Sequence, residues 1–305
     1  MQATLRQAVQ FSGVGLHTGR LARVTVHPQA ANTGLRFARA DMPDAPHIPA
    51  RYDSVPQSRL CTKLMTEDGA EVSTVEHLMA ALAGCGIHNA LIEVDGPELP
   101  ILDGSAAPFV RAFLDVGIAR QDAPIHAIEI LETVTVTEGT AEASLSPAEG
   151  LVMEFDIDFA DAAIGRQRRV ANLANGRFVR ELCDSRTFCR KADVDAMQAA
   201  GLALGGTYEN AVVVDGDLVL SPGGLRHADE AVRHKMLDAL GDLALAGAPI
   251  LGRYRGVRAG HMLTNRLLRA LFATPGAWRS VECTPYQAAR LPGMGVTGAD
   301  LAHVA

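Results

Sequence analysis

The chain has 305 residues, 48% hydrophobic and 21% charged, with a net charge of −7. That balance suits a soluble, well-cored protein of one large or two ordinary domains, and the negative charge argues against a surface built to hold nucleic-acid phosphates. There is no apolar run of membrane-spanning length and no apolar signal segment at the N-terminus, and the five cysteines lack C-x-x-C spacing, which fits a reducing cytoplasm better than a disulfide framework or a cysteine-rich zinc site.

In chain order, residues 1 to about 120 alternate strand-like runs (22–27 and 90–94) with helical ones (75–83 and 107–114). Ser73 and Glu76 have the spacing of a capping box, serine at the N-cap and glutamate at N3. On that reading Glu76 only closes a helix end and His77 is an ordinary histidine. An adjacent Glu-His pair also suits a hydrolytic metal site, with the imidazole on the ion and the carboxylate taking a proton from water. Gln121-Asp122-Ala123-Pro124 is a polar break and the best candidate boundary. It divides an N-terminal domain, 1–123, from a C-terminal domain, 124–275, followed by a tail over 276–305. Strand-like runs come next at 127–130, 134–136 and 151–159, then helical ones around 194–200, 231–246 and 261–272. Strands grouped before helices in each half predict an α+β fold. No G-x-G-x-x-G run opens a helix, so a dinucleotide fold has no support.

The helix over 231–246 carries an unusual polar stripe. His234, Asp238 and Asp242 recur every four residues and share one face, next to an apolar surface of Met236, Leu237, Leu240, Leu243 and Leu245. A neutral imidazole and a carboxylate one turn apart can grip one metal ion; a salt-bridged helix face is the alternative. His261 stands where an apolar helix begins. A helix N-terminus lowers an imidazole pKa and a nearby carboxylate raises it. The residue therefore suits a proton donor held charged by an acid such as Asp242, or else a capping or buried histidine. Taken together, the segments hold candidates for two histidine ligands, one carboxylate ligand, a carboxylate base and a histidine acid. Two histidines and a carboxylate leave the fourth position of tetrahedral zinc open, the catalytic pattern. No H-E-x-x-H helix occurs.

Six stretches carry a resemblance: Phe11-Ser12-Gly13-Val14-Gly15-Leu16-His17-Thr18-Gly19, Ser73-Thr74-Val75-Glu76-His77-Leu78, Pro100-Ile101-Leu102-Asp103-Gly104-Ser105-Ala106-Ala107-Pro108-Phe109, Ser185-Arg186-Thr187-Phe188, the helix over 232–242, and Gly260-His261. In order and spacing they resemble the signatures of the UDP-3-O-acyl-N-acetylglucosamine deacetylases, zinc amidases that commit a nucleotide sugar to lipid A synthesis. The resemblance implies an α+β fold of two similar domains, with the active site between them. It implies zinc on His77, His234 and Asp238, Glu76 as general base and His261 as general acid, with Asp242 orienting and charging His261. Lys235 and Thr187 would sit beside the reacting oxygen and the substrate, and Phe188 would line the sugar or acyl site. Asp158 and Phe159 resemble a nucleotide-contacting pair. An insert over about 190–213 would form a passage for the hydroxyacyl chain; its Val194, Ala203, Gly206, Ala211 and Val213 are small or apolar, as a hydrocarbon requires.

The implied reaction is hydrolysis of the acetamide of UDP-3-O-[(3R)-3-hydroxyacyl]-N-acetylglucosamine to acetate and the free amine. The implied partner is that acylated UDP-sugar, and nothing marks an oligomer interface. Three positions depart from the family pattern. Cys189 stands where a small residue is usual, Lys191 where an apolar one is usual, and Arg258 where lysine is common, keeping the charge for a diphosphate but changing its geometry. Cys61 matches a family position near the metal and is read as a lining residue, since the ligand set is complete without it. A zinc amidase of a smaller substrate is disfavoured by the intact insert, and a non-catalytic relative by the presence of Glu76 and His261. A fusion to a second catalytic domain finds no room before Ala305.

Overall fold

A computed structural model of the chain describes residues 1–56 and 60–304; Ala305, the last residue of the expected tail, lies outside it. The fold is α+β. The first sheet runs in the order Val9–Val14, Leu21–Pro28, Ala90–Val94, Leu35–Arg39, Ile48–Pro49. It is antiparallel except where Leu35–Arg39 lies parallel to Ala90–Val94. Along Leu21–Pro28 the side chains of Ala22, Val24 and Val26 are buried while Leu21 and Arg23 face solvent, the period-two pattern of a sheet with one covered face.

The second sheet is built around Ile250–Val257. This strand pairs antiparallel with Ala141–Ser146 and parallel with both His126–Ile130 and Leu151–Asp158. The stretch from 276 onward, set apart in the sequence as a tail, supplies the strand Trp278–Glu282 along His126–Ile130 and the short helix Pro285–Ala288. One apolar core runs through both halves of the chain, from Leu5 to Ala277.

Helices α1 (Glu76–Gly84) and α2 (Ala107–Val116) belong to the first half. The short α3 (Arg177–Glu181), then α4 (Lys191–Ala199), α5 (Glu230–Ala244) and α6 (His261–Ala273) belong to the second. In α1 every side chain from Glu76 to Leu82 is buried, as expected of a helix apolar on nearly all sides. It packs against α5 at unusually short range. A Cβ built on Gly241 of α5 would stand 2.1 Å from the carbonyl oxygen of Glu76, so only glycine lets the two backbones cross there. None of the described helices is long and apolar enough to cross a membrane.

The start of α1 differs from the sequence expectation. Ser73 is not its N-cap: the Ser73 hydroxyl donates to the Pro97 carbonyl at 3.0 Å, and no side chain caps the helix. Thr74 takes a left-handed turn (φ 59°) and the helix begins at Glu76, after Val75. The capping-box reading fails because serine and glutamate end up on opposite sides of that turn, which frees the Glu76 carboxylate for another role.

Candidate active site

The crossing of α1 and α5 brings together residues about 160 positions apart in the sequence. His77 Nε2 lies 3.5 Å and His234 Nε2 3.2 Å from Asp238 Oδ1. One ligand atom from each of the three lies within 4.8 Å of the other two, and all three residues are buried. His234 Nδ1 stands 2.9 Å from the carbonyl oxygen of Ser185. A carbonyl only accepts, so Nδ1 carries the proton and Nε2 turns a lone pair toward the carboxylate. Asp238 Oδ1 is itself buried without a hydrogen-bond partner. Burial opposes ionisation of Asp238, and its carboxyl is held well below the usual range only when positive charge stands beside it, as protonated His234 and His77 together with Lys235 would supply. A buried carboxylate oxygen facing an imidazole lone pair is costly unless a cation lies between them, so the donor set fits a divalent metal ion.

Two more groups flank this triad. The Glu76 carboxylate accepts the Thr62 N–H at 3.1 Å and approaches His261 Nε2 at 3.8 Å. Burial pushes the Glu76 pKa up, against the charges of His261 and His77. His261 opens α6, with Nδ1 2.9 Å from Asp242 Oδ2. Burial works against its charge, but Asp242 beside it prevails and raises the pKa to about 9. Asp242 is held in turn by the Thr62 hydroxyl, which donates to Oδ1 at 2.5 Å. The site thus pairs a carboxyl whose proton is easier to keep than usual with an imidazole charged at neutral pH, an acid–base arrangement set by environment.

The substrate-side expectations resolve individually. Lys235 Nζ lies 3.6 Å from Asp238 Oδ2, at the edge of the triad. Phe188 meets the His234 ring edge-on at 6.3 Å and the Phe159 ring at 5.3 Å, so Phe188 flanks the His-His-Asp cluster and Phe159 lies one ring further out. Thr187, between Ser185 and Phe188, is fixed by its N–H to Gly104 and its carbonyl to Val212. Asp158 and Arg258 form an ion pair at 2.5 Å with both side chains nearly half exposed. The Cys61 thiol is buried next to Thr74 and Glu76, and burial first, then Glu76, pushes its pKa up to about 12. Cys61 is not one of the three residues whose ligand atoms converge.

The insert is of a different character. Val194 is half-buried on α4, a helix with no buried residue, while Ala203, Ala211 and Val213 are buried and Gly206 half-buried. Its loop sits on the glycine-rich turn of the first half: the N–H groups of Leu204 and Gly205 donate to the carbonyls of His17 and Leu16. A Cβ on Gly205 would lie 2.2 Å from Gly15 O. Lys191 turns to solvent and pairs with Asp195 at 2.9 Å, and Cys189 is half-buried.

Sequence reasoning missed three supports. Thr62 holds both Glu76 and Asp242, and nothing marks it in the sequence beyond its place next to Cys61. The Ser185 carbonyl fixes the His234 tautomer through main-chain geometry, which side-chain patterns do not reveal. The Arg186 guanidinium and N–H both bond Glu230 at the start of α5, a buried pair. Glu230 lies four residues before His234, so extending the polar stripe upstream by one turn would have found it.

A family profile described as UDP-3-O-acyl N-acetylglycosamine deacetylase matches residues 2–273. The chain is 50% identical over 279 residues to the UDP-3-O-acyl-N-acetylglucosamine deacetylase of Phenylobacterium zucineum, covering 91% of this chain and 95% of that one. The enzyme of the same name from Actinobacillus pleuropneumoniae is 45% identical, with 92% of each chain covered. That of Pasteurella multocida is also 45% identical, over 94% of this chain and 95% of its own. The resemblance read from six short motifs therefore extends over nearly the whole chain, which belongs to the UDP-3-O-acyl-N-acetylglucosamine deacetylase family.

Proposed function

We propose that this chain is the cytoplasmic zinc amidase that hydrolyses the acetamide of UDP-3-O-[(3R)-3-hydroxyacyl]-N-acetylglucosamine, the deacetylation of lipid A biosynthesis. The observation that carries the reading is the convergence of a buried His77–His234–Asp238 ligand set with Glu76 and His261 on its flank. Zinc held by those three residues would polarise the acetamide carbonyl and lower the pKa of water at the site toward ~7.

The rest falls to the chain's own groups. Glu76, its carboxyl held by the Thr62 N–H, takes a proton from the water that attacks the acetamide carbon. Lys235 and Thr187 supply donors to the oxygen on which negative charge develops, an interaction that counts most in the transition state. His261, charged at neutral pH because Asp242 faces Nδ1, gives the proton at Nε2 to the departing nitrogen. Acetate and the free 2-amino sugar nucleotide leave, the 3-acyl group intact.

For the substrate, Phe188 and Phe159 offer apolar faces to the sugar, and Asp158 with Arg258 the polar contacts to the nucleotide. Cys61 is a neutral lining group. The hydroxyacyl chain would run along the insert past Val194, Ala203, Gly206, Ala211 and Val213, where the exposed Leu202, Leu204 and Tyr208 extend the apolar surface. The test is metal analysis of the purified protein together with acetate release from the acylated UDP-sugar. Deacetylation with stoichiometric zinc supports the reading; full activity after complete metal removal overturns it.

A further inference from the structure

The opposite end of the α1–α5 pair holds a cavity of about 430 Å³, a size typical of small-ligand clefts. It shares no lining residue with the metal cluster, the acid–base groups or the insert. Its apolar wall combines Leu35 of the first sheet, Ile87 beyond α1, Leu243 and Ala244 of α5, and Ile250 of the second sheet.

Most of its polar groups are already satisfied. The Gln2 amide donates to Asn32 and Pro124 and accepts from Asn32 and Asn89. The Asn89 amide accepts from the N–H groups of Thr33 and Gly34 and donates to Gln2 and Gln121. His88 Nδ1 accepts the Ala3 N–H, and burial keeps the ring neutral, its pKa lowered to about 4. Carbonyls at the two helix ends are also occupied: Leu82 and Ala83 accept from Ile87 and Gly86, and Ala244 accepts from Gly247.

Unsatisfied capacity is left on donors. Arg36 lines the cavity with its Nε buried and without a hydrogen-bond partner among the described residues. Arg51 and His126 line it too, and Arg51 meets Asp53 only at 3.3 Å with both side chains half exposed, a contact worth little. Among the described residues no aspartate or glutamate lines the cavity. Each helix C-terminus contributes roughly half a negative charge, so two guanidinium groups outweigh both.

We propose that this cavity binds a single-chain amphiphile with an anionic head, a carboxylate or a phosphate, its chain against Leu35, Leu243, Ala244 and Ile250 and its head on Arg36. A guanidinium fork matches either head group. The apolar wall takes the chain out of water, and the ligand's acceptors satisfy donors that the fold leaves unmatched.

The test is calorimetric titration of the full-length, metal-loaded protein with decanoate, monodecyl phosphate and decanol, each below its aggregation limit. The expected result is one saturable site for at least one anion, with decanol at least tenfold weaker. Which anion binds better separates a fatty carboxylate from a phospholipid-like head. Arg36→Gln should weaken anion binding at least tenfold and Ala244→Phe should block it, both with unchanged deacetylation rates. Should Ala244→Phe fail to fold, Arg36→Gln decides. Binding by decanol equal to the anions, undiminished binding in Arg36→Gln, no binding at all, or displacement by the acylated UDP-sugar would each overturn the proposal.

Discussion

The α1–α5 crossing carries the groups proposed for the reaction and the insert near 190–213 the surface proposed for the acyl chain, and the two are built in opposite ways. At the crossing, Glu76 through Leu82 are all buried and Gly241 admits the Glu76 carbonyl at a distance no other residue allows. In the insert, α4 buries none of its side chains, and the loop after it meets the turn at Leu16–His17 through the N–H groups of Leu204 and Gly205. Close packing transmits small displacements, whereas an exposed helix absorbs them. The difference teaches where variation is tolerated: the proposed acid and base sit in close packing, and the surface proposed for the acyl chain sits where sequence can change without disturbing them.

The harshest way to break that contrast is to remove a proposed metal ligand from the crossing. His77→Ala is expected to lose bound metal and all measurable deacetylation while remaining folded, since the lost ring is replaced by a smaller apolar group. Metal content by mass spectrometry alongside circular dichroism checks this. A variant that retains full metal occupancy would remove His77 from the ligand set.

Next in size come the proposed proton carriers. Glu76→Gln should keep the metal and lose roughly 10²–10⁴-fold in kcat, the usual worth of a positioned base. The acid side has a pH signature. His261 must be protonated to donate, and its folded pKa of about 9 lies above the ordinary 6.5. Activity should therefore hold through neutrality and fall as pH rises through about 9. By linkage, the stability His261 contributes is complete below about 6.5 and lost as pH rises through the folded value. Asp242→Asn removes the charge that raises the pKa, leaving burial to lower it, so the alkaline limb should move to lower pH. An unmoved limb would show that another group sets it.

A smaller effect is expected from Gly241→Ala. The added methyl meets the Glu76 carbonyl and the Ala80 nitrogen, at 2.1 and 3.2 Å, both rigid backbone. Overpacking of this kind typically costs ~1–3 kcal/mol, and here the displaced residue is the proposed base itself. The prediction is a lowered Tm with a fall in kcat larger than any change in KM. Unaltered kcat with normal stability would mean that the helices separate without moving Glu76.

The two regions are unequally legible in the sequence, for the same physical reason. The His234–Asp238–Asp242 stripe is a helical period of four, and a rigid helix turns that period into one face, so the α5 half of the site shows in the spacing of its residues. What spacing cannot supply is the partner across the crossing: His77 and Asp238 are 161 positions apart, and only Gly241 explains how they meet. The Ser73–Glu76 pair shows the opposite failure. Its spacing matches a cap, but a left-handed Thr74 in front of α1 overrides local propensity. In the insert there is no period to read. Ala203, Gly206, Ala211 and Val213 lie in loop and short strand, where side-chain direction depends on long-range contacts such as Gly205 on Gly15.

The gentlest perturbation therefore falls on the insert. Val194→Ala, on a helix with no buried residue, should change stability by no more than ~0.5 kcal/mol, as surface substitutions do. Ala211→Phe places a ring where a small buried side chain stands, and should penalise long acyl chains more than short ones while leaving the metal bound. Remote apolar contact, ~0.8 kcal/mol per buried methylene, is available to hold the acetamide at the reaction site. Each methylene excluded should then lower kcat/KM severalfold without altering the alkaline limb set by His261. Lys191 does not interfere, because its ammonium pairs with Asp195 in solvent. The decisive measurement is kcat/KM against acyl length for wild type and Ala211→Phe. Diverging curves place the chain along this segment. Parallel curves would mean that the acyl group lies elsewhere, and the contrast between a fixed reaction core and a tunable substrate surface would fail at the insert.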